Sequence, residues 1–168
     1  MSNIEILVKN GIKELFEIFR DTSIGILDVI NTDCVLQTSD ILPTLSKLER
    51  LQLWGTYTGH CDLQLPASLH CISLQTGECS SEWLCSLLIK LSELDHPVTC
   101  ELFNFVVQSR GEDCGTVSNI PVSDLRSKLL SCDMSNIKIL VENGMKELFE
   151  IFRDTSIGIL DVINTDCV

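Results

Sequence analysis

Short runs in which apolar and polar residues alternate recur along this chain, separated by stretches with helical or irregular spacing. Leu48-Glu49-Arg50-Leu51-Gln52-Leu53-Trp54-Gly55-Thr56 reads L-x-x-L-x-L-x-x-T. Residues 69–79 read L-x-x-I-x-L-x-x-G-x-C, and residues 24–34 read I-x-x-L-x-V-x-x-T-x-C. Weaker versions begin at Met1, through Ile4 and Ile6, and at Pro97, through Cys100 and Leu102. A period of two predicts half-buried strands. The fourth and sixth positions of each run point into a core, and the third, fifth and seventh point away from it.

Between these runs the period changes. Ile12, Leu15, Phe16 and Phe19 fall at i, i+3, i+4 and i+7, a helical stripe for which Asn10 is the cap. Helices are also expected over Thr38–Leu48, with Pro43 confined to the first turn, and after Ser80 or Ser81, carrying Leu84, Leu87, Leu88 and Leu91. Val122, Leu125 and Leu129 mark a last one. Tyr57–Ser68, with Gly59 and Pro66, reads as an extended return, and the polar stretch Ser109–Ser118 as an inserted loop.

A longer repetition encloses the short one. Residues 1–35 return as residues 134–168 with three differences, Glu5/Lys138, Lys9/Glu142 and Ile12/Met145. The first two exchange charge, which reads as a solvated acid–base pair inverting as a unit. Unit starts fall at 1, 24, 48, 69, 97, 134 and 157, so residues 1–133 form one super-repeat of about five units and residues 134–168 begin a second copy. The chain is read as a single array over 1–168. One such unit cannot bury its own apolar face, so units must stack.

Composition narrows the function. Of 168 residues, 45% are apolar and 21% charged, which suits a folded chain. A net charge of −12 without any basic run opposes binding to nucleic acid or to an anionic membrane surface. No apolar run is long enough to span a bilayer. Met1 aligns with the internal Met134, so Met1 reads as a repeat residue and the chain as a fragment of a longer protein. The nine cysteines are odd in number and contain no CxxC, which favours reduced thiols packed as small apolar groups and a cytoplasmic location.

These units resemble the leucine-rich-repeat region of animal NACHT-type nucleotide-binding innate-immune receptors and their expanded invertebrate relatives. The likeness rests on the L-x-x-L-x-L pattern, the cysteine-containing units Asp33-Cys34 and Glu78-Cys79, their variable length and the long duplication. It implies an α/β leucine-rich-repeat solenoid of irregular units, with a curved parallel β-sheet and with helices and extended returns on the convex side. It also implies binding of a protein or microbial ligand, with the NACHT module elsewhere. No G-x-x-x-x-G-K-[ST] loop occurs here, so no nucleotide activity is assigned. The competing fold is a compact βαβ protein.

On solenoid geometry the outward strand positions form the candidate binding surface: Asp28, Ile30 and Asn31; Arg50, Gln52 and Trp54; Ser73, Gln75 and Thr76; and Glu101, Phe103 and Asn104. Trp54 and Phe103 are candidate anchors, although Trp54 suits burial against its own return equally well. Arg50 is expected to pair with Glu49 or Asp28. His60-Cys61 and His70-Cys71 offer metal-ligand and nucleophile chemistry, but their spacing matches no compact zinc signature. Glu14 and Glu17 read as a solvated helix face. The expectation is therefore a non-enzymatic recognition segment without catalytic residue, metal or cofactor. The alternative is a structural scaffold that self-associates through exposed repeat ends.

Overall fold

Each alternating run forms a strand, and the strands lie side by side in chain order: β1 (Ile4–Val8), β2 (Ile24–Ile30), β3 (Arg50–Tyr57), β4 (Cys71–Ser80), β5 (Val98–Gln108), β6 (Ile137–Glu142) and β7 (Ile159–Ile163). Every neighbouring pair is parallel. Each connection must therefore cross back before the next strand begins. The protein is α/β, built on a single seven-stranded parallel sheet. This computed structural model describes residues 4–9, 13–31, 39–108, 122–142 and 146–163.

Register sets like residues in rows. Leu27, Leu51, Ile72, Cys100, Ile139 and Leu160 are successive partners across β2 to β7. Val29, Leu53, Leu74, Leu102, Val141 and Val162 form the second row. From β2 to β6 all of these side chains are buried. Burying each large aliphatic side chain contributes about 1.5–3 kcal/mol, and two continuous rows explain why one period-two pattern recurs.

Beyond the second row the strands kink. Ile30, Trp54, Gln75 and Phe103 are register partners, and the residue after each has positive φ: Asn31 at 92°, Gly55 at 144°, Thr76 at 35° and Asn104 at 48°. The kink reverses the phase of alternation. In β5, Cys100 and Leu102 are buried before it, and Phe105 and Val107 after it. Only glycine and asparagine adopt this backbone cheaply, so Thr76 is held there by its neighbours.

The crossovers differ in form. Helices are α1 (Lys13–Glu17), α2 (Ser81–Ser92), α3 (Val122–Ser131) and α4 (Lys146–Phe152). Ser80 begins α2 as its cap, its Oγ accepting from the Trp83 N–H at 3.2 Å. The α2 helix packs against β4, β5 and α3, while Trp83 stacks on Tyr57 at 4.5 Å between ring centroids. The helix expected over Thr38–Leu48 is instead a single 3-10 turn, Leu42–Thr44. Leu42, Leu45 and Leu48 are all buried and spaced three apart, which suits three residues per turn and not 3.6. No helix or strand lies between Tyr57 and Cys71, in keeping with the extended return. Asn10, the Asp33-Cys34 pair and the loop over 109–118 lie outside the described residues.

Candidate binding face of the sheet

The side chains opposite the two core rows make an open face of three rows. The first holds Ile26, Arg50, Cys71 and Thr99, the second Asp28, Gln52, Ser73 and Glu101, and the third Ile30, Trp54, Gln75 and Phe103. Strand spacing gives this patch a width of ~15 Å across β2 to β5. Eleven of these twelve side chains are half-buried, packed on their neighbours along the sheet.

Placement within the face separates the expected residues. Ser73 is fully buried. The Gln75 Nε2 donates to its Oγ at 2.6 Å, so Gln75 and the flanking strands cover it and it offers nothing to a partner. Arg50 pairs with neither Glu49 nor Asp28. Its guanidinium reaches across β4 to the Glu101 carboxylate at 2.5 Å and lies 3.3 Å from the Cys71 Sγ. That partner is 51 residues away in sequence, and only the parallel register brings the two together. With Glu101 just 14% exposed, this pair ties three strands together. Asn31 and Asn104 stand exposed at the kinks.

Two polar atoms on the face are buried without a hydrogen-bond partner, Trp54 Nε1 and Asp28 Oδ1. Trp54 alternates with the buried Leu53 and is half-buried. Its backbone carbonyl accepts from the Asn31 N–H at 3.0 Å and the Tyr57 hydroxyl at 3.3 Å, while its indole N–H is separately without a partner. Burial, and then the nearby Glu5 carboxylate, hold the Asp28 carboxyl above its ordinary range, with Arg50 opposing them. Asp28 pairs with Gln52, two residues before Trp54, so the two unbonded atoms belong to diagonal neighbours, both of them shielded from solvent. A sheltered polar atom left unbonded costs about 1–3 kcal/mol.

The charge exchange between the two copies also acts across strands. Lys138, at the position of Glu5, forms an ion pair at 3.0 Å with Asp161, the second copy of Asp28. The repulsion between Glu5 and Asp28 in the first copy thus becomes an ion pair in the second.

The two His-Cys pairs do not converge. Cys61 is buried, its N–H donating to Ser86 Oγ of α2 at 2.8 Å, whereas Cys71 lies under Arg50 on the open face. His70 stacks instead on His96, 4.5 Å between centroids. Burial pushes the Cys61, Cys71 and Cys85 thiols up to about 11 and raises Cys79 and Cys100 as well. Thiols in that state are poor nucleophiles. Among the described residues no group of three or more His, Cys, Asp or Glu side chains is placed to hold a metal ion. Among the same residues no helix is long and apolar enough to cross a membrane.

Sequence reasoning missed Asn136 and His96. The Asn136 Nδ2 donates to the carbonyls of Leu91 at 3.2 Å, Leu94 at 2.9 Å and His96 at 3.3 Å, closing the end of α2 onto β6. The repeated Met-Ser-Asn-Ile at 1–4 and 134–137 was the available signal. Nothing local marks His96. Compared with known protein families, curated proteins and solved structures, the chain matches none.

Proposed function

We propose that this chain is a leucine-rich-repeat solenoid segment that recognises a protein ligand through its open sheet face, within a larger cytoplasmic receptor of the innate-immune type. Strands in chain order, recurring core rows and the positive-φ residue after the third outward position support the solenoid. The observation that carries recognition is the row of the outward face in which Trp54 and Phe103 both stand half-buried, two large aromatics with part of their surface still accessible. Phe103, in the row of Trp54 two strands on, adds apolar area. Buried thiols are a state that a reducing compartment preserves, which supports the cytoplasmic reading. On this reading the chain carries no catalytic step.

The test is a selection of protein and microbial-extract ligands on the folded chain, counter-screened on Trp54→Ser and Phe103→Ser with the fold checked by circular dichroism. Ligands of this face lose at least tenfold in affinity, whereas equal binding to both variants places recognition elsewhere. A scaffold is the second reading, favoured by the exposed apolar side chains of β1 and β7.

A further inference from the structure

One aspartate of the repeated sequence is paired with a cation and its copy is not. In the second copy the Lys138 ammonium lies 3.0 Å from Asp161 Oδ2. Lys138 is in register with Ile159, two residues before Asp161. Glu5 is in register with Ile26, two residues before Asp28. The first copy thus repeats the diagonal with a carboxylate where the second has an ammonium, and the second copy is the occupied form of a site that the first leaves open. Glu5 is exposed and Asp28 half-buried. Asp28 turns Oδ1 inward, shielded and unbonded, which leaves Oδ2, the oxygen whose counterpart holds Lys138, for an outside partner. Arg50 of β3 favours the Asp28 charge, but its guanidinium is drawn to Glu101 of β5. Lys138 stands between β5 and β7 and still keeps 39% of its side chain accessible, so a strand on the far side of β1 leaves the Glu5 position open too.

We propose that Glu5 and Asp28 receive a lysine or arginine side chain of the protein ligand, its cation taking the place that Lys138 fills beside Asp161. This inference rests on the open-face reading and adds the charge of the ligand to it. Trp54 is diagonal to Asp28 on the side away from Glu5, so the cation enters beside the aromatic row. Burial and Glu5 hold the Asp28 carboxyl above its ordinary range, and a cation between the two carboxylates relieves that repulsion. A net charge of −12 draws a basic ligand toward the chain. A neutral or acidic segment finds two like charges and nothing to neutralise them, so charge sets the choice of partner.

Carboxyl-carbon NMR of the folded chain tests it, with end-blocked Gly-Lys-Gly, its arginine counterpart and its norleucine counterpart as probes. The lysine and arginine peptides move the Glu5 and Asp28 signals ahead of the other carboxylates, and bind about fivefold more tightly than the norleucine peptide. Glu5→Lys rebuilds a pairing that the second copy already folds with, and it abolishes those shifts. Lys138→Glu opens the equivalent site and adds a shift at Asp161. Equal affinity for the norleucine peptide, shifts spread evenly over the surface carboxylates, or binding unchanged in Glu5→Lys each overturns the proposal. The selected protein ligands separate it from the reading beneath it. Ligands weakened by Trp54→Ser and by Glu5→Lys support both. Ligands weakened by Trp54→Ser alone overturn the cation site and leave the open face standing, and indifference to both variants overturns the open face and the cation site with it.

Discussion

Asp28 and Asp161 occupy the same place in a repeated sequence but keep opposite electrostatic company. Asp28 is raised above 3.8 by burial first and by Glu5 second. A carboxyl raised on folding contributes stability below its unfolded value, and loses it as pH climbs through the folded value. In Glu5→Lys the Asp28 carboxyl titrates lower, and stability at neutral pH gains ~0.2–1 kcal/mol. Carboxyl-carbon NMR with denaturant melts reads both, and an unmoved Asp28 removes Glu5 as a cause. His96 works in the other sense. Its Nδ1 lies 3.1 Å from the Pro97 carbonyl and its Nε2 2.8 Å from that of Ala67, and both ring nitrogens donate at once only when the ring is protonated. Those two bonds, with a lesser contribution from Asp95, raise its pKa above 6.5, and the ring is stacked on His70. The clamp between the turn before β4 and the turn before β5 is present in acid and weakens as pH rises through the raised value. The stability difference between the wild type and His96→Gln is therefore constant below about pH 6.5 and narrows as pH rises above it, and a difference that stays constant throughout rules the clamp out.

The kink in the strands depends on close approach of two backbones. A Cβ on Gly77 would collide with the Gly55 carbonyl, whereas one on Gly59, at φ 70°, meets nothing. Gly77→Ala costs about 1–3 kcal/mol or more from overpacking, and Gly59→Ala only the conformational ~1 kcal/mol. Urea midpoints of the two variants compare them directly. At the far end of α2, Asn136→Ala strands carbonyls of Leu91, Leu94 and His96 and costs about 1–3 kcal/mol. A near-neutral melt would show that water replaces the amide there. Elements were readable where cause is local. Ser80 before an apolar stripe announced α2, and period two announced β3 and β4. The 3-10 turn at Leu42–Thr44 was misread because leucines three apart also suit a loose helical stripe. The Arg50–Glu101 pair and the burial of Ser73 were beyond reach, since both depend on which strand becomes the neighbour.

Across the molecule the duplication serves as an internal control on context. Ile137 is 1% exposed and its counterpart Ile4 is 50% exposed. Phe16 is buried while its counterpart Phe149 is 41% exposed, and in the second copy Leu148 and Phe152 take the core instead. One amphipathic sequence therefore turns different faces inward according to what packs upon it. Amide exchange makes this measurable. β2 and β6, flanked on both sides, exchange more slowly than β7 and β1, and in the dilute monomer Leu27 and Val29 outlast Leu160 and Val162. Equal rates within each pair would mean that neighbours do not set local stability.

The order of elements was present in the one-dimensional pattern, because alternation and helical spacing reflect backbone geometry that every residue carries with it. The three-strand span of Arg50, the shelter over Ser73 and the unbonded atoms of Asp28 and Trp54 arose only in three dimensions. They depend on contacts between residues about twenty to fifty positions apart, and nearly identical sequences met different contacts in the two halves of the chain.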